Sequence, residues 1–103
     1  MSEIHYVNEL AVSPRVTLRR GDVFKVTGGP RWVTVRNGKR YLEPIGERGT
    51  FTFDRVAAQG RRRWIEAYRH GGGHVVLMLT SWKSPVPGIV PRPYRVTRRL
   101  VTK

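Results

Sequence analysis

Apolar residues recur along this chain in short alternating runs, broken every few positions by Gly or Pro, and almost nowhere at the 3.6-residue spacing of a helix. Alternation puts successive side chains on opposite faces of an extended strand, so the pattern predicts an all-β domain. Val16 and Leu18 share one face of an early strand, Gly21 and Asp22 interrupt it, and Val23 to Val26 resume a strand that Gly28, Gly29 and Pro30 turn away.

The stretch "RWVTVRNGKRYLEP" predicts a two-residue hairpin, because Asn37 and Gly38 tolerate the positive φ values of a type I′ turn. Counting outward, Arg36 faces Lys39, Thr34 faces Tyr41 and Trp32 faces Glu43 on one side. Val33, Val35, Arg40 and Leu42 form the other, expected to be mostly core. Two like charges facing each other beside aromatic rings destabilise a strand pair unless an anion lies between them, which makes the first side a candidate contact face.

In "GTFTFDRVAAQ" Phe51 and Phe53 point inward, and a bulge near Asp54 or Arg55 brings Val56 to the same side. Two readings compete for the following "RRRWIEAYRHGGGH". A helix capped by Asp54 would stripe Val56, Gly60, Trp64, Ala67 and Tyr68, but Gly60 in its middle costs about 1 kcal/mol. A hairpin around Gly71 to Gly73 instead puts Trp64 and Tyr68 on one face and Ile65 and Ala67 on the other, and it suits the strand spacing on both sides. "HVVLMLTSW" is nearly all apolar and so expected to be a central strand, and "YRVTRRLV" has Tyr94, Val96 and Leu100 broadly on one face. The connector "KSPVPGIVPRP" carries four prolines within nine residues, which predicts a stiff, polyproline-like segment with a short turn.

The strand order matches a small single-domain SH3-like barrel of about five to six antiparallel strands over residues 1–103, with residues 1–14 as a loosely attached N-terminal segment; an OB-like barrel has a similar strand count. The excursion from Arg31 to Arg48 stands for the long hairpin loop of such barrels, and the proline connector for the 3₁₀ turn before their last strand. At "ERGTFTFDRVAAQGRRRWIEAYRHGGG" the chain resembles the small basic proteins encoded by phages of high-GC actinobacteria, in which an aromatic alternating strand precedes a Trp-Ile or Trp-Val strand. "LRRGDVFKVTGG" is similar to the opening of KOW-type SH3-like modules, which bind RNA or transcription machinery. Neither resemblance supplies functional residues to carry over.

Charge narrows the function. Among 103 residues, twenty are basic and seven acidic, a net charge of +13 that exceeds what solubility needs and implies an anionic partner. Sixteen of the twenty are Arg, whose planar fork grips phosphate and stacks on bases, so the composition points to nucleic acid. The absence of cysteine removes disulfides, thiolate nucleophiles and the usual zinc sites, and fits a reducing, cytoplasmic setting. No apolar run approaches the roughly eighteen residues of a membrane span. His70 and His74 are separated by three glycines that break any shared helix face, with no acidic cluster evident nearby, so neither a metal site nor a cofactor is expected. The scattered Asp, Glu and His residues show no catalytic spacing, and the expectation is a protein that is not an enzyme.

The leading reading is a binder of nucleic acid, DNA ahead of RNA, that contacts phosphates with little sequence preference. Its candidate residues are Arg19, Arg20, Lys25, Arg36, Lys39, Arg61, Arg62, Arg63, Arg98 and Arg99. Trp32, Tyr41 and Trp64 could stack on bases, the competing role for each ring being to fill or seal the core. The alternative is an interaction module that docks on an acidic host protein through the same basic surface or an exposed strand edge.

Overall fold

A computed structural model describes residues 3–84 and 86–100, the last three as backbone only. All regular structure in it is β. Eleven strands follow one another: β1 (His5–Val7), β2 (Glu9–Ser13), β3 (Val16–Arg19), β4 (Val23–Gly28), β5 (Arg31–Arg36), β6 (Lys39–Pro44), β7 (Thr50–Gln59), β8 (Arg62–Arg69), β9 (His74–Met78), β10 (Ile89–Val90) and β11 (Tyr94–Leu100).

The main sheet runs β11-β4-β7-β8-β9, with β1 added alongside β7 as its sixth strand. Strand β7 is long enough to carry two partners on one edge: β4 pairs with Thr50 to Thr52, and β1 pairs with Val56 to Ala58. Between these two segments the register against β8 shifts by one residue, between Phe53 and Arg55. This is the bulge expected from the sequence, and it is why Phe51, Phe53 and Val56 all point to the core. Strands β2 and β3 form a separate hairpin, β10-β5-β6 a third antiparallel sheet, and the sheets do not close on one another.

The hairpin reading of the arginine-rich stretch holds. Gly60 turns β7 into β8, and three glycines with φ between 91° and 101° turn β8 into β9. Ile65 and Ala67 are fully buried on one face, opposite Leu77 and Val75. The core gathers Leu18, Phe24, Phe51, Phe53, Val56, Ile65 and Leu77, with Phe24 packed edge-on to Phe53 at 6.2 Å and tilted to Phe51 at 5.9 Å. The described part of the N-terminal segment is paired, β1 on β7 and β2 on β3.

Three expectations give way. Strand β9 is an edge of the main sheet rather than central, and Val76 is exposed; an all-apolar run shows that a strand has a buried face, not how many neighbours flank it, and the proline connector leads the chain away before another strand can pair there. The β5–β6 hairpin has the predicted register and turn, with Asn37 and Gly38 at φ 51° and 76°. Its "core" side is open, however: Val35 is 67% exposed and Leu42 is exposed too, because among the described residues β10 alone joins this arm and none covers its tip. The described part of the connector holds a turn at Pro87–Gly88 and then β10, which pairs with Trp32 and Arg31, in place of a 3₁₀ turn.

Tyr94 ties these sheets together. Its side chain is buried between Gly29 and Gly46, where a Cβ on Gly29 would stand 2.5 Å from the ring and one on Gly46 2.5 Å from the hydroxyl, and that hydroxyl accepts a hydrogen bond from the Glu47 amide at 2.7 Å. Gly28 has φ 83°, and a Cβ there would lie 2.7 Å from the carbonyl oxygen of Pro93, so the end of β4 and the start of β11 approach too closely for any side chain. What reads in sequence as a simple glycine turn is a contact between distant segments.

Candidate nucleic-acid interface

The acidic residues are few, and the fold assigns five of them to arginines. Glu9 lies 3.5 Å from Arg19, Asp54 3.1 Å from Arg20, Glu43 2.9 Å from Arg36, Glu66 2.8 Å from Arg55, and Glu47 pairs with Arg69. A sixth, Asp22, accepts the backbone N–H of Arg19 at 2.8 Å. Three of the sequence-predicted phosphate contacts, Arg19, Arg20 and Arg36, therefore already have a counter-charge. The like-charge face of the hairpin is also corrected: Arg36 reaches along β5 to Glu43, which accepts from the Thr34 hydroxyl at 3.5 Å as well, so no outside anion is needed to relieve Arg36 against Lys39.

The remaining predicted residues are dispersed. Lys39 sits at the arm's tip, Arg61 and Arg62 are exposed at the β7–β8 turn, and exposed Lys25 lies opposite Thr50 on one side and Arg98 on the other. Arg99 is in register with Phe24; the side chains of Arg98 and Arg99 lie outside what the structure describes. Of the three rings, Tyr41 is exposed on the arm, Trp32 lies over Gly88, and the half-buried Trp64 donates its indole N–H to Glu66 at 3.1 Å.

One place concentrates uncompensated charge. A groove of about 660 Å³ runs between β2, the β4–β11 ladder and the end of β9. Its floor is apolar, made by Leu10, Val12, Leu79 and Val96, all half-buried against the core. Around it stand Arg31, Arg63, Arg92 and Arg95, and among the described residues no acidic side chain lines it. The Nε atom of Arg31 is buried without a hydrogen-bond partner, an arrangement that buried donors rarely keep.

Each arginine is placed by its backbone. Arg31 opens β5 directly after Gly28, Gly29 and Pro30; Arg92 is fixed between Pro91 and Pro93. Arg95 lies on β11 opposite Thr27, and Arg63 is tied to the far side because its carbonyl accepts the Leu79 amide at 2.8 Å and its own amide donates to the Thr80 hydroxyl at 3.3 Å. Only Arg63 belongs to the sequence-predicted set. The signal for the others was weak: proline beside Arg31 and on both sides of Arg92, which marks arginines on stiff rather than flexible backbone.

The opposite face of the main sheet carries a polar network. Arg55 stacks over Tyr6 at 3.8 Å and donates to Glu66, which also receives Trp64 and lies 4.0 Å from His74. Burial pushes the Glu66 carboxyl up, but the hydrogen bonds from Arg55 and Trp64 and the charges of Arg55 and His74 outweigh it and hold the carboxyl below its ordinary range. Asp54, Glu66 and His74 bring ligand-type atoms within 4.8 Å of one another, so acidic groups do stand beside His74, contrary to the sequence expectation. Both carboxylates are held by guanidinium groups, which a cation would have to displace.

Compared with known proteins, the chain matches no family model, no curated protein and no solved structure.

Proposed function

We propose that this protein is a non-enzymatic nucleic-acid binder, acting in the cytoplasm, that holds the phosphate backbone with little sequence preference. The observation that carries the reading is the groove. Elsewhere carboxylates are spent on arginines, whereas Arg31, Arg63, Arg92 and Arg95 converge around one concavity that no described acidic residue lines. Guanidinium groups fork onto phosphate oxygens, and backbone contacts of this kind fix position without reading sequence. The strand order and the projecting β5–β6 arm support reading the fold as an opened variant of the SH3-like barrel.

The test is a salt titration of binding to a labelled oligonucleotide. Four phosphate contacts give a logarithmic salt slope of about −3 to −4, since each contributes roughly −0.7 to −0.9. Replacing Arg92 and Arg95 by Ala should flatten the slope by about 1.5, equally on unrelated sequences. An unchanged slope in the double variant removes the groove from the interface. Loss of all binding near physiological salt, with an acidic protein still retained after nuclease treatment, would assign the surface to a protein partner instead.

A further inference from the structure

The groove differs from a plain basic patch in having an apolar floor beneath its charged rim, and the two halves of that description ask for one ligand. A duplex keeps its bases stacked inside and offers phosphates on a convex outer surface. It could touch the four arginines, but it would leave Leu10, Val12, Leu79 and Val96 facing water. A single strand can turn a base into the groove while its flanking phosphates meet the rim. The volume, about 660 Å³, falls within the range of pockets that enclose a small organic ligand.

The chemistry of the rim agrees. All four charges are arginines, and a guanidinium both forks onto phosphate and stacks flat on a base, which an ammonium does not do. Arg31, which lines the groove, has its Nε buried without a hydrogen-bond partner. The floor residues Leu10, Val12, Leu79 and Val96 offer no side-chain acceptor to a sugar hydroxyl, so a 2′-OH laid on them loses its water without replacement there. We infer that the groove is a single-stranded DNA site that takes one unstacked base onto its apolar floor and the neighbouring phosphates onto Arg31, Arg63, Arg92 and Arg95. This rests on the nucleic-acid reading above and names its ligand.

Fluorescence anisotropy with four probes of equal length separates the inference from the reading beneath it: an oligo-dT strand, a strand of abasic deoxyribose units, a DNA duplex and an oligo-U strand. The dT strand should bind about tenfold tighter than the abasic strand, within the range expected for stacking one base, and tighter than the duplex. The oligo-U strand should bind more weakly than dT. Leu79→Ser should abolish the preference for dT over the abasic strand. Because that variant could unfold, Arg92→Lys provides a second test: it keeps the charge and the salt slope but narrows the dT-to-abasic ratio. Abasic strand or duplex binding as tightly as dT overturns the inference and leaves backbone binding standing. Oligo-U binding as tightly as dT overturns the assignment to DNA. Failure of every probe to bind at low salt, or displacement by poly-glutamate at equal charge, overturns the nucleic-acid reading itself.

Discussion

The ring of Tyr94 fills the space that a Cβ on Gly29 would need, its nearest carbon 2.5 Å from that position. Gly29 also has φ 85°, so any other residue there meets both a strained backbone and a filled site. Gly29→Ala should cost about 2–4 kcal/mol in urea unfolding, from positive φ and overpacking together. Tyr94→Phe keeps the ring but leaves the Glu47 amide without its 2.7 Å acceptor, and should cost about 1–3 kcal/mol. A glycine at position 29 chosen only for flexibility would tolerate alanine.

Gly38 presents the opposite case. A Cβ there would meet nothing within 4 Å, and only its φ of 76° resists substitution. Gly38→Val should therefore lower stability by about 1–2 kcal/mol, the cost of holding a side-chain-bearing residue in the left-handed region. The loss should appear as a downward shift in melting temperature. Unchanged melting would mean that the turn does not hold its observed geometry in solution.

Glu66 links stability to pH. Its carboxyl titrates below the ordinary value of 4.5 in the folded protein, so its contribution is complete above that pH and is lost as pH falls through the lower, folded value. Glu66→Gln should destabilise the protein at pH 7, where Arg55 and the nearby His74 lose their carboxylate. The gap between variant and parent should close below about pH 4.5. Urea unfolding at several pH values measures this, and a gap that stays constant into acid would show that the charge plays no part.

Arginines already paired should be silent in binding. Arg19→Ala and Arg36→Ala remove exposed partners of Glu9 and Glu43, pairs worth about 0–1 kcal/mol to stability, and should leave the salt slope of nucleic-acid binding unaltered. Arg63→Ala and Arg95→Ala should each flatten it by about 0.7–0.9. Equal effects from both sets would mean that net charge, and not the groove, governs affinity.

Local chemistry was readable from the chain. The Asn37–Gly38 turn, the register of Trp32 against Glu43, the bulge after Phe53 and the glycine turn between β8 and β9 all follow from side-chain alternation and backbone preference. What joins distant segments was not readable. Pairing of β4 with β11 and of β1 with β7 depends on which apolar faces find each other, and alternation gives a strand's faces without its neighbours. The groove depends on the first of those pairings, since its arginines come from three separate stretches, around positions 31, 63 and 92–95. The adjacent Arg61, Arg62 and Arg63 stand out in the sequence, yet only the third of them reaches it.

The placement of β11 beside β4 also bears on how the chain reaches its folded state. The meander of β7, β8 and β9 closes by short turns and can form early, whereas β11 meets β4 only across a separation of some seventy residues, about two thirds of the chain. Substitutions in the meander, such as Ile65→Val, should slow folding, while Val96→Ala on β11 should chiefly speed unfolding. A chevron in which Val96→Ala slows folding in full proportion to its destabilisation would reverse that order. Because both strands of this late ladder line the groove, a bound strand would act as a clasp on the last part of the molecule to assemble and the first to come apart.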